Sequence, residues 1–162
     1  MATAFLGLGS NLGHREANIR EALHRLSERH EIRLIKVSSL YETAPIGCTD
    51  QPDFINAVAE IETDLLPLDL LRTVLDIEKE MGRVRTVQWG PRVIDIDVLL
   101  YDNTVMDVPG LTLPHPRMLQ RAFVIAPLAE IAPELELPGG FRPAELLDKL
   151  KDQRVEKIAE VE

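Results

Sequence analysis

The sequence predicts an α+β domain with a β-α-β-β-α-β core, the ferredoxin-like split arrangement. Three observations predict it. Apolar, β-branched runs at residues 2–8, 32–41, 54–63 and within 89–101 read as four strands. Runs with apolar residues three or four apart, at 16–29 and 67–81, read as two helices. One helix falls between the first and second strands, the other between the third and fourth. Such an antiparallel sheet is expected to carry both helices on one face and to leave the other free for a ligand.

Length and composition bound the answer. With 162 residues, 45% hydrophobic and 28% charged, the chain suits one domain, residues 1–162, with a real core. A net charge of −9 argues against a general binder of nucleic acid or anionic membrane. It makes a local basic cluster more telling: residues 83–121 hold five arginines and no lysine. One cysteine, Cys48, allows no internal disulfide and points to a reducing compartment, the cytoplasm. Residues 1–13 lack the basic start of a signal peptide and the length of a membrane span.

The first strand runs into a turn with Gly7, Gly9, Ser10, Asn11 and Gly13. It is not a dinucleotide fingerprint, because Leu12 stands where the third glycine belongs. The first helix puts Ile19, Ala22, Leu23 and Leu26 on one side. After the second strand, residues 43–53 carry two prolines, a glycine and two aspartates, a long irregular loop of the kind that often serves function. In the third strand Phe54 and Asn56 share one face and Ile55, Ala57 and Ala59 the other. The pair could stack on and hydrogen-bond a flat heterocycle, or be an edge aromatic beside a turn-capping amide.

The second helix starts at Pro67 and stops at Gly82. Glu78 sits in its last turn, where a carboxylate opposes the helix dipole, so either a specific partner holds it or the surface tolerates it. Residues 83–91 form a basic, polar loop able to close over a nucleotide. Beyond the fourth strand, residues 103–112 read as a hairpin with Val105 and Val108 in a short edge strand. His115 lies between two prolines, and a short helical turn bears Arg117 and Arg121. Residues 124–131 and 144–150 read as helices, and 154–162 as a short strand or a tail.

The chemistry concentrates in W-G-P-R-V-I-D-I-D-V-L-L, residues 89–100. Asp95 and Asp97 are two apart in a strand and so share a face, with Cα atoms about 6–7 Å apart. Ile94, Ile96 and Val98 take the core side. Two carboxylates held side by side call for a cation, and their oxygen ligands suit Mg²⁺ beside a polyphosphate. A hydrated D-x-D on a solvent face is the competing reading. Arg83, Arg85 and Arg92 tip the balance, because guanidinium groups match phosphate oxygens. Carboxylates for metal beside arginines for phosphate are what phosphoryl-group transfer requires.

Taken together, G-S-N-L-G at 9–13, the loop from Thr43 to Asn56, G-R-V-R at 82–85, W-G-P-R-x-x-D-I-D and Pro114-His115 resemble the 6-hydroxymethyl-7,8-dihydropterin pyrophosphokinases of folate biosynthesis. The resemblance runs from Phe5 to about Leu137. It implies transfer of a pyrophosphoryl group from ATP to the pterin hydroxymethyl oxygen, with AMP released. It implies that Asp95 and Asp97 bind two Mg²⁺ ions, and that Arg83 and Arg92 stabilise the transferring group. Arg85 and Trp89 would belong to the loop closing on ATP, with Glu78, Thr112, His115 and Arg121 at nucleotide-contact positions. The pterin would stack between Phe54 and Phe123, with Asn56 reading its edge and Thr43, Pro45 and Gly47 completing the pocket. No nucleic-acid or membrane partner is implied, and a monomer is expected. Two rivals remain open: another metal-dependent phosphotransferase or nucleotide hydrolase, and a non-enzymatic ligand-binding module of the same fold.

Overall fold

A computed structural model describes residues 1–44, 51–82 and 93–161. Its elements run β1 (Ala2–Ser10), α1 (Arg15–Ser27), β2 (Ile32–Val37), β3 (Leu40–Thr43), β4 (Phe54–Thr63), α2 (Pro67–Glu80) and β5 (Asp95–Tyr101). A small hairpin of β6 (Met106–Val108) and β7 (Leu111–Leu113) follows, then a 3-10 turn (Met118–Gln120), α3 (Ala122–Ile131), α4 (Pro143–Lys149) and β8 (Val155–Ala159). The expected hairpin is present, but Val105 stands outside its strands and is 85% exposed.

The main sheet has the order β5-β1-β4-β3-β8, with β2 also paired to β4. Every pairing in it is antiparallel. Read as one bent strand, β2 and β3 give the split βαβ order: fourth, first, third, second. The expected single strand over 32–41 divides at Ser38 and Ser39 for a physical reason. The Ser38 hydroxyl accepts the Val58 amide at 2.9 Å, while the Ser38 amide donates to the Val58 carbonyl at 2.9 Å. A side chain therefore takes one ladder position, and the strand bends there. The C-terminal residues are a strand rather than a tail, since β8 pairs with β3.

The helices form where their signals placed them. Ile19, Ala22, Leu23 and Leu26 bury one stripe of α1. Leu70, Val74 and Ile77 do the same in α2, which begins at Pro67. Gly82 adopts φ +85° immediately after it, a backbone that a side chain disfavours. Both helices pack on Ala4, Leu6, Leu8, Ile55, Ala57, Ile61, Ile96 and Val98 of the sheet. The opposite face is not left free as the fold class alone suggests. A second core of Phe5, Val58, Leu99, Leu100, Met118, Val124, Ile125, Leu128 and Leu146 lies there, beneath α3 and α4. A bulge in β5 serves it: Leu6 pairs with Val98 and Phe5 with Leu100, so Leu99 is the extra residue. Leu99 and Leu100 both enter the second core. Glu130 ties α3 to β3, accepting from the Ser39 amide at 2.9 Å, the Ser39 hydroxyl at 2.7 Å and the Tyr41 hydroxyl at 2.7 Å. Burial works to raise the Glu130 pKa, but the Tyr41 and Ser39 hydrogen bonds outweigh it and hold the carboxyl below its ordinary range. Among the described residues no helix is long and apolar enough to cross a membrane.

Candidate functional site

The part of the second face that α3 and α4 leave uncovered holds the candidate site. In the β1–β5 ladder Asp95 stands opposite Gly9 and Asp97 opposite Gly7. Opposed residues of a sheet share a face. The two carboxylates therefore lie on one side, and Ile94, Ile96 and Val98 on the other at 0%, 3% and 4% exposure. Both aspartates are partly exposed. The glycines opposite them carry no side chain into the space beside the carboxylates. Gly9 is also held to its size from another side, because a Cβ there would come 2.8 Å from Asn56 Oδ1.

The same row continues across the sheet: Gly9 opposes Asn56, and Asn56 opposes Tyr41. Phe54 and Thr43 form the next row. Asn56 is 6% exposed and its Nδ2 donates to Thr43 Oγ1 at 2.6 Å, so the amide is fixed in orientation. Phe54 is partly exposed and flanks Gly9. Thus Asp95, Gly9, Asn56 and Phe54 belong to one continuous surface. Phe123 is the second residue of α3, with the Arg121 guanidinium 5.3 Å from its ring centroid.

Of the candidate nucleotide contacts, Thr112 lies in β7 and its hydroxyl donates to Asp107 Oδ1 at 3.1 Å. His115 follows a cis Leu113–Pro114 bond, and its amide donates to the Leu99 carbonyl at 2.9 Å. Burial, and then Arg121 and Arg117, push the imidazole pKa down to about 4, so it is neutral at pH 7. Its Nδ1 accepts the Arg117 amide at 3.3 Å, which leaves the proton on Nε2. Burial lowers the Arg121 pKa, while Asp97 and then Asp95 act to raise it, so this cation stands within the field of the carboxylate pair. Glu78 is 3% exposed, and its Oε2 accepts the Ile96 amide at 2.7 Å. The carboxylate that looked misplaced in its helix thus satisfies an edge-strand donor, whose loss would cost about 1–3 kcal/mol.

Sequence reasoning noted Asn11 only as part of a turn and a motif, and gave neither it nor Arg15 a role. Asn11 is 1% exposed and its Nδ2 donates to Gln51 Oε1 at 2.7 Å and to the Pro52 carbonyl at 3.1 Å. Arg15 donates to the Asp53 carbonyl and to Glu42 Oε2, each at 2.9 Å. Arg154 bonds the Asp53 carboxylate. Together they anchor the backbone that enters Phe54. The only advance signal was an Asn within a glycine-rich turn, which composition does not separate from an ordinary turn.

Among the described residues no three His, Cys, Asp or Glu side chains cluster to hold a metal on their own. Two neighbouring carboxylates nevertheless fit Mg²⁺, which is usually held by one or two carboxylates, with water and substrate phosphates filling the remaining positions. Arg83, Arg85, Trp89, Arg92, Pro45, Gly47 and Cys48 lie outside the described residues.

Comparison with known proteins places this arrangement in a family. The family profile described as 7,8-dihydro-6-hydroxymethylpterin-pyrophosphokinase (HPPK) matches residues 5–133. The chain is 45% identical over 154 residues to the 2-amino-4-hydroxy-6-hydroxymethyldihydropteridine pyrophosphokinase of Pseudomonas aeruginosa, covering 95% of each. It is 44% identical over 158 residues to that of Haemophilus influenzae, covering 98% of this chain and 99% of the relative. In fold it is similar to the crystal structure of Plasmodium falciparum HPPK-DHPS wild type with SDX-DHP. That match has a TM-score of 0.70 at 18% identity and covers 92% of this chain and 43% of that longer one. With a match over most of its length, the chain belongs to the 7,8-dihydro-6-hydroxymethylpterin-pyrophosphokinase family.

Proposed function

We propose that this site transfers the pyrophosphoryl group of ATP to 6-hydroxymethyl-7,8-dihydropterin in folate biosynthesis. The observation that carries the proposal is the shared surface: Asp95 and Asp97 on β5, and Asn56 and Phe54 on β4, face the same way with glycines between them. A polyphosphate at the carboxylates and a flat heterocycle at the aromatic–amide pair would then be neighbours.

In the reaction the hydroxymethyl oxygen bonds to the β-phosphorus of ATP. The bridge between the α- and β-phosphates breaks, AMP leaves with the electron pair, and the hydroxyl proton passes to solvent. Two bound Mg²⁺ ions would offset polyphosphate charge and acidify the attacking hydroxyl. The protein supplies alignment and charge. Asp95 and Asp97 would hold the cations. Arg83 and Arg92 steady the transferring group. Arg121, beside the carboxylates, adds positive charge near the phosphates. His115, with its Nδ1 held by the Arg117 amide, offers a fixed Nε2–H to a phosphate oxygen. Thr112, Arg85 and Trp89 complete the nucleotide side. Phe54 and Phe123 stack the pterin, and Asn56, with Thr43, Pro45 and Gly47, reads its edge.

The proposed setting is the cytoplasm, with the chain acting as a monomer and residues 1–162 as one catalytic domain. A single cysteine is compatible with that setting. The test is incubation with ATP, Mg²⁺ and the hydroxymethyl dihydropterin, followed by nucleotide analysis. AMP with the pterin diphosphate is expected, and removal of Mg²⁺ by chelator abolishes it. ADP as the product would overturn pyrophosphoryl transfer.

A further inference from the structure

In an antiparallel edge strand every second amide points away from the partner strand. In β5 the Ile96 amide is one of these, and Ile96 lies between Asp95 and Asp97. It donates instead to Glu78 Oε2 at 2.7 Å, on a side chain only 3% exposed. Glu78 belongs to the last turn of α2, a helix fixed to the sheet by Leu70, Val74 and Ile77. A rigid element thus grips the backbone at the midpoint of the carboxylate pair. Rotation of the Ile96 peptide would swing both aspartate side chains, which are attached one residue to either side.

We propose that Glu78 is a positioning residue for the metal carboxylates. By accepting the Ile96 amide it sets the twist of β5 on which Asp95 and Asp97 converge, and so sets how tightly the protein holds a divalent cation against a triphosphate. The proposal rests on the reading of Asp95 and Asp97 as metal ligands and adds a role that Glu78 exerts through the strand. Groups that orient metal ligands from behind commonly change metal affinity by about 10–100-fold when removed.

The test uses Mn²⁺ as the probe ion with a non-hydrolysable ATP analogue, and follows Ile96 amide exchange by NMR. In Glu78→Ala, Ile96 exchange is expected to accelerate and the Mn²⁺ dissociation constant to rise about 10–100-fold. Binding of the pterin alone should stay within about twofold, because Asn56 and Phe54 lie two strands away. Glu78→Gln keeps an oxygen acceptor and removes the charge, so it should preserve Ile96 protection and stay within about threefold of the native Mn²⁺ affinity. Unchanged Mn²⁺ affinity in Glu78→Ala would overturn the proposal. So would a Glu78→Gln protein that protects Ile96 yet loses Mn²⁺ as badly as Glu78→Ala, a comparison available even if the alanine variant fails to fold. Asp97→Asn serves as the control: if it leaves Mn²⁺ affinity intact, the metal reading itself is at fault rather than the part given to Glu78.

Discussion

On the α1–α2 face, β1, β4 and β5 contribute Leu6, Leu8, Ile55, Ile61, Ile96 and Val98, nearly all sealed from water. On the other face the same three strands contribute Gly7, Gly9, Asn56, Phe54, Asp95 and Asp97. The first set stabilises by area removed from water, about 1.5–3 kcal/mol for each large side chain. The second set buries little apolar area and leaves the two carboxylates partly exposed. Period-two alternation lets one strand serve both purposes without compromise, since each residue answers to only one face. Damage should therefore separate: changes to the first set should act on folding, and changes to the second set on chemistry, while Phe5, Val58 and Leu99 on the second face belong with the core.

The largest expected effect tests that separation at its sharpest point. Asp97→Ala should lower kcat by about 10²–10³-fold or more, since no described side chain replaces the carboxylate. Its melting temperature should stay near the native value. A variant that keeps its turnover ends the comparison. Ile61→Ala, on β4 but facing the helices, is the converse. It should cost about 2–5 kcal/mol in denaturant unfolding while kcat of the folded protein holds. Gly9→Ala tests the seam between the two sets. Its Cβ would meet Asn56 Oδ1 at 2.8 Å, so the amide must shift. Pterin affinity measured by calorimetry should fall about tenfold, with a smaller loss of stability.

The smallest effect concerns protons. The His115 pKa is lowered in the fold from 6.5 to about 4. Between those two values the unfolded chain takes up a proton that the folded chain refuses, so this contribution is unfavourable and grows as pH falls through the window. Above about pH 6.5 both states are neutral and the contribution vanishes. His115→Gln should flatten that part of a melting-temperature profile. A profile identical to the native one would show that the ring titrates alike in both states.

Much of this was legible in the chain. Pro67 and Gly82 marked the ends of α2, and alternation in D-I-D-V fixed the carboxylates on one side and the isoleucine on the other. Both are local signals. What escaped was non-local. Ser38 reads as an ordinary strand residue until Val58 is opposite its hydroxyl. The second core needs Phe5, Val58 and Leu99 brought under α3 from three separate strands. Glu78 was recognisable as out of place, yet nothing in its own helix could name Ile96 as the partner. Asn11 likewise reveals its purpose only when Gln51 and Pro52 arrive beside it.

The pairing of β8 with β3 carries a consequence for synthesis. Domains begin to assemble as the chain emerges, at about 5–20 residues per second. Residues 155–159 follow every other strand in sequence, so the outer border of β3 is complete only after they arrive. Until then, nascent copies on one polysome present matching open borders to each other, a template for mispairing. Yield of soluble protein should accordingly be more sensitive to this short terminal segment than its distance from Asp95 and Asp97 would suggest.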